Sequence, residues 1–269
     1  MIDYRWIGPL IFFLASLLMS TGCKQSDPTI NVYETSESGH KLTLIKDIEP
    51  LKVSSEINLN INQKFQTISG FGGAFTEASA HLLNQLSPSK RAEILKAYFS
   101  LEGAAYSMAR THMNSCDFSL DHYSYSPVAG DKYLKHFSID EDREDLIPMI
   151  KDAIEISEEG FKIFASPWTA APWMKDNNAW VGGKLLPEYY DTWALFFSKY
   201  ADAYDDEGID IWGFTVENEP MGNGNNWESM HFSPEEMTDF VQSVVRHGVI
   251  ALSRVSMKTG QRRKHNQVS

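Results

Sequence analysis

Cysteine is almost absent. The 269 residues hold two, Cys23 and Cys116, so no disulfide framework braces the fold and a packed core has to do so. Basic charge is also scarce: 24 Lys and Arg stand against 36 Asp and Glu, a net charge of −12. That balance argues against a nucleic acid or an anionic lipid surface as main partner, since both need clustered cations. No solenoid-length repeat and no set of His, Cys and carboxylates at metal-ligand spacing is evident, so no cofactor or metal is expected. Acid itself runs out: beyond Asp239 there is none, while Arg246, Arg254, Lys258, Arg262, Arg263 and Lys264 make the last residues basic. What is present is a 42% hydrophobic, 12% aromatic composition, enough to build a globular core of one α/β barrel's size.

The N-terminus reads as an export signal. Arg5 precedes an apolar run, Trp6 to Leu18, that is too short to cross a bilayer as a helix. Ser20-Thr21-Gly22-Cys23 then resembles a bacterial lipoprotein box, although Ser20 stands where Leu is commonest. Residues 1–23 are therefore expected to be a lipoprotein-type signal with Cys23 as the lipidated residue. A plain secretory signal or an uncleaved anchor is the alternative. The expected location is outside the cytoplasm of a bacterium, on the periplasmic or cell-surface side, held to the membrane only through that lipid.

Residues 24–40 are polar and read as a tether. Residues 41–66 contain alternating segments, Leu42–Ile45 and Ile57–Ile61, expected to be β-strands with one buried face. From residue 67 a strand-then-helix pattern occurs four times. The strands are expected at Thr67–Phe71, Ala105–Arg110, Phe161–Ala165 and Asp210–Val216, and the helices at Pro88–Phe99, Pro148–Glu158, Glu188–Tyr204 and Ser233 to about Val245. Ser233-Pro-Glu-Glu236 combines an N-cap, a proline in the first turn and a capping-box acid. Alternating βα units imply a parallel sheet, and its usual closed form is the eight-stranded (β/α)8 TIM barrel, of which 67–245 would supply the first four units.

Thr215-Val-Glu-Asn-Glu-Pro220 sits where the fourth strand should end, and in such barrels the C-terminal strand ends face substrate. A carboxyl there can protonate a glycosidic oxygen if a partly dry pocket and a second carboxylate raise its pKa. Asn218 beside it can hydrogen-bond a sugar hydroxyl. The bland alternative is a loop or helix-capping acid. His112 after the second strand reads as a satisfied structural histidine, Trp193 and Trp212 fit core positions, and Glu77 and Glu217 carry no assigned role.

Four motifs taken in order make the reading specific: Gly70-Phe-Gly-Gly-Ala-Phe-Thr-Glu77, Arg110-Thr-His-Met-Asn-Ser-Cys-Asp-Phe-Ser119, Ala165-Ser-Pro-Trp-Thr169 and Thr215–Pro220. Together, over about residues 60–245, they resemble glycoside hydrolase family 30, the family of glucosylceramidases. The resemblance implies that Glu219 is the acid/base and that Asn218 binds the sugar next to the bond being cut. It further implies that Asp117 accepts bonds from hydroxyls of the terminal sugar, that Trp168 lines the pocket, and that Arg110 orients the nucleophile. The implied substrate is a β-linked glycoside or glycolipid, hydrolysed with retention and without a cofactor. Glucosylceramide, a short β-glucan and a β-xyloside all suit such a pocket.

In that family the nucleophile is a Glu at the end of the seventh strand, and no residue here can take the role. The likeness fades near Val245, where the basic run begins. One expectation is that 246–269 is non-native, from a truncation or a shifted reading frame; a solvated basic extension is the other. Two functional readings remain open: a retaining β-glycosidase by descent, and an inactive glycan-binding lipoprotein fragment that uses Asp117, Trp168 and Asn218.

Overall fold

The computed structural model describes residues 30–46, 55–221 and 226–242. The chain divides into two compact units, with the division between Phe65 and Gln66. Cys23, the signal 1–23 and the basic tail 246–269 lie outside the described residues.

The first unit holds a two-stranded antiparallel sheet, β1 (Val32–Glu34) against β2 (Thr43–Ile45). Strand β1 falls inside the segment read as a tether. The segment Ile57–Ile61 is not a strand, and Ile57, Leu59 and Ile61 are exposed. Alternation supplies a face, but a strand forms only where a neighbour takes its backbone bonds, and none of the described residues does so there.

The second unit is a parallel sheet of four strands in sequence order, β3 (Gly72–Phe75), β4 (Met108–Met113), β5 (Lys162–Pro167) and β6 (Ile211–Phe214). Strand order equal to chain order, with helices between, is the opening arc of a (β/α)8 barrel. Strands β3 and β4 lie several residues later than periodicity suggests. Ala105 takes a left-handed φ of 47°, which ends the preceding turn and delays β4. The Gly70–Gly73 run reads as a turn signal but enters the sheet: a Cβ on Gly72 would sit 1.5 Å from the Met108 carbonyl oxygen. Only glycine allows that approach.

The helices start where local chemistry satisfies their free N–H groups. The Thr76 side chain accepts from Ser79 N at the start of α1 (Glu77–Asn84), and Ser87 caps α2 (Pro88–Phe99) with proline in its first turn. Helix α3 (Asp140–Glu144) leads into α4 (Leu146–Ile156), and α5 (Tyr190–Asp206) precedes β6. A last helix, α6, covers 234–242. It opens on a reciprocal capping box: Ser233 N donates to Glu236 Oε2 at 2.8 Å, and Glu236 N to Ser233 Oγ at 3.2 Å. No helix among the described residues is long and apolar enough to cross a membrane.

Helix α5 carries much of the core. Trp193, Phe196, Phe197, Tyr200 and Tyr204 recur at helical spacing and are buried, each worth roughly 1.5–3 kcal/mol of transfer free energy. Tyr204, Tyr125 and Tyr123 all donate hydroxyl bonds to Asp142, at 2.7, 2.6 and 3.2 Å. Burial still pushes that carboxyl up to about 6, against the three hydroxyls, which lower it. Trp212 is a correction: it is half exposed, with the Lys162 ammonium 4.9 Å from its ring. Its neighbour Ile211 takes the buried side of β6, so alternation turns Trp212 to the other face.

Candidate active site

Arg110, at the third position of β4, is the hub of the C-terminal strand ends. Its Nε donates to Ser166 Oγ at 2.9 Å, its Nη2 donates to Asn218 Oδ1 at 2.7 Å, and its guanidinium carbon stands 4.4 Å from the centre of the Trp168 ring. Strand β4 thus supplies the cation, β5 and the residue after it supply Ser166 and Trp168, and the segment after β6 supplies Asn218. Burial lowers the guanidinium pKa, while the carboxylates of Glu219 and Asp117 hold it up. Of the five residues singled out in the barrel, Asn218 and Trp168 touch Arg110, and Asp117 and Glu219 act on it through charge. Trp168 is buried; Asp117 and Glu219 are exposed.

The segment after β6 is held in place by the end of β5. Thr215 N donates to the Ala165 carbonyl at 3.0 Å and Asn218 N to the Pro167 carbonyl at 2.8 Å. The Thr215 hydroxyl donates to Ser166 Oγ at 2.7 Å, so Ser166 serves both Thr215 and Arg110. Glu219 has φ of +46° and stands immediately before Pro220. A left-handed non-glycine before proline is a strained placement, of the kind that persists where surroundings fix it and that clusters at functional sites.

His112 has both ring nitrogens occupied. Nδ1 lies 2.8 Å from the Asn114 carbonyl, and Nε2 accepts from Glu77 N at 3.3 Å. An acceptor role for Nε2 puts the single proton on Nδ1. Burial lowers its pKa, and the ring is structural. The Glu77 carboxylate accepts Leu120 N and so fixes the loop that carries Asp117.

Three features escaped sequence reasoning. Glu217 is buried, and neither of its carboxylate oxygens has a partner among the described residues. Burial raises its pKa well above the usual carboxylate value, opposed by the charge of Lys175. Lys175, 3% exposed, donates to Thr169 Oγ1, the Trp180 carbonyl and the Ser229 carbonyl at 2.8, 3.2 and 2.9 Å. Burial brings its ammonium down to about 8. The only sequence signal was a lysine closing the apolar run Ala170–Met174. The third is a contact of His122 with Trp180 and Glu228.

Among the described residues no group of three or more His, Cys, Asp or Glu is placed to hold a metal. The arrangement offers a flat aromatic wall, an amide fixed by a guanidinium, and exposed carboxyls around one cation. That is chemistry for binding a polyhydroxylated ring and moving a proton at one of its oxygens.

Residues 68–256 match the glycosyl hydrolase family 30 TIM-barrel domain. The chain is 37% identical over 224 residues to "Putative glucosylceramidase 3" of Caenorhabditis elegans, covering 78% of this chain and 43% of that protein. It is 35% identical over 238 residues to the lysosomal acid glucosylceramidase of Mus musculus, covering 81% and 46% respectively. Among solved structures it superposes on the endo-β1,6-glucanase BT3312 with a TM-score of 0.68 at 30% identity, covering 84% of this chain and 50% of that one. The chain thus spans about half the length of the curated relatives it matches.

Proposed function

The chain belongs to glycosyl hydrolase family 30, and from that premise we propose that it forms the proton-donating part of a retaining β-glycosidase active site. The observation that carries the reading is the hub at Arg110, bonded to Asn218 Oδ1 at 2.7 Å and stacked 4.4 Å over Trp168. In this reading Trp168 packs on a face of the sugar ring. Asn218, its oxygen held by Arg110, turns its amide N–H to a ring hydroxyl. Asp117 accepts further hydroxyls, and Glu219 delivers the proton to the departing oxygen. The second carboxylate, which attacks the anomeric carbon, comes from strands beyond β6. A retaining enzyme needs it about 5 Å from the acid.

The test is the first product formed. A form of the enzyme with all eight strands, acting on an alkyl β-glucoside in an NMR tube, is expected to release glucose as the β-anomer before mutarotation. Release of the α-anomer first would overturn the retaining mechanism. Binding with no turnover would favour the non-catalytic glycan binder.

Export is part of the same proposal, with Cys23 as the lipid attachment point. In a bacterial host the chain is expected in the membrane fraction, and Cys23→Ala is expected to move most of it out of that fraction. An unchanged distribution would refute lipidation at Cys23. The supporting feature is the Ser20–Cys23 box behind the apolar run 6–18.

A further inference from the structure

The loops that follow β4, β5 and β6 meet in a second cluster. His122, from the first loop, stacks its imidazole on the indole of Trp180 from the second, with ring centres 5.4 Å apart and planes 10° from parallel. His122 Nδ1 lies 2.8 Å from Glu228 Oε1, on the third loop. The Glu228 side chain is 5% exposed and that of His122 is 47% exposed. An ionised carboxylate only accepts, so the proton between them sits on Nδ1. In the neutral ring that leaves Nε2 as an acceptor, and no protein group takes it among the described residues.

The platform is rigidly set. The Trp180 carbonyl receives Lys175 Nζ at 3.2 Å and Ser229 N at 3.1 Å. Gly182 N donates to Ser229 Oγ at 3.0 Å, His231 N to the Gly183 carbonyl at 2.8 Å, and Asn177 Nδ2 to the Val181 carbonyl at 2.8 Å. A surface fixed in this way loses little entropy on meeting a ligand. It also adjoins the Arg110 hub. The same three loops carry Asp117, Trp168 and Asn218, and the charge of Glu228 is felt at Cys116, next to Asp117. Lys175, which holds Trp180 in place, lies close enough to Glu217 for the two to interact electrostatically.

A flat, partly exposed ring pair with a hydrogen-bond acceptor at its edge suits a pyranose. The C–H face of the sugar packs on the rings and a hydroxyl donates to Nε2. A lipid chain would use the flat surface but leave that acceptor without a partner and partly desolvated. We propose that His122 and Trp180 form an outer subsite for a second pyranose ring, so that the ligand is a β-linked oligosaccharide rather than a single sugar on a lipid. This rests on the sugar-pocket reading above, which supplies the inner ring's place.

Calorimetric titration of the full chain separates the two claims. The probes are methyl β-D-glucoside, octyl β-D-glucoside and gentiotriose, a β-1,6-linked glucose trimer. Gentiotriose is expected to bind about tenfold tighter than methyl glucoside, about 1.4 kcal/mol. His122→Ala is expected to erase that advantage and leave methyl glucoside unchanged. Trp180→Phe, which keeps a flat ring, is expected to retain part of it, and Asn218→Ala to weaken both sugars. Equal affinity for trimer and monomer, or an advantage that survives His122→Ala, overturns the subsite and leaves the inner pocket standing. A His122-dependent gain for octyl glucoside as large as for the trimer overturns it in favour of a lipid contact. Trimer binding that depends on His122 without any monomer binding supports the subsite and defeats the inner pocket. No binding of any probe defeats both.

Discussion

Replacing Glu219 by Gln in a form with all eight strands is expected to lower kcat/KM on an alkyl β-glucoside by about a thousandfold. On 2,4-dinitrophenyl β-glucoside the same substitution is expected to spare the first step, because that leaving group departs without a proton. Hydrolysis of the covalent intermediate then becomes limiting, since the residue that gives the proton first must later activate water. Added azide, which needs no base, is expected to restore turnover on the activated substrate. A loss of equal size on both substrates, with no azide effect, would remove Glu219 from the acid/base role. Strands β3 to β6 do not dry this carboxyl: Glu219 is exposed, on a backbone with a left-handed φ of +46°. A carboxyl becomes a proton donor near neutral pH when a partly dry pocket and a neighbouring charge raise its pKa.

Local chemistry made the helices the most legible part of the chain. Pro88–Phe99 was readable to the residue because Ser87 and Pro88 mark its start and Leu95 and Phe99 its buried face. The capping box at Ser233 was readable for the same reason. Strand positions were less so. Gly70–Gly73 looks like a break because glycine lacks strand propensity, yet close contact with the Met108 carbonyl requires it. That is a long-range demand, invisible to a local pattern. At the site, Arg110, Trp168, Asn218, Asp117 and Glu219 could be picked out because they sit in short motifs at strand ends. Their gathering around Arg110 could not, since Asn218, which bonds it, lies 108 residues away. Glu217 was passed over because an acid one residue from a motif asparagine looks like an ordinary loop residue. Its significance comes from burial without a partner, which only packing reveals.

That buried pair gives the largest expected change in stability. Lys175→Met keeps most of the stem volume but removes the donor that ties Thr169, Trp180 and Ser229 together. It also removes the positive charge that opposes the desolvation of Glu217. Leaving those three buried acceptors without their donor is expected to cost about 3 kcal/mol in chemical denaturation at pH 7. Glu217→Gln is expected to act in the opposite direction, for a reason that fixes its pH dependence. The folded carboxyl keeps a proton that the unfolded chain sheds above 4.5, so rising pH favours the unfolded chain until the folded carboxyl ionises as well. Gln removes that penalty: the variant should match the wild type at pH 4 and exceed it increasingly above that. Lys175 has the reverse sign. Its folded pKa is about 8 against 10.5, so the unfolded chain holds the extra proton in that window and stability rises with pH across it. Because the two groups are coupled, the double variant should cost less than the sum of the two single effects. Strictly additive effects would show the two groups to be uncoupled, and a Glu217→Gln curve parallel to wild type from pH 4 to 8 would show that the carboxyl has a partner that neutralises its burial.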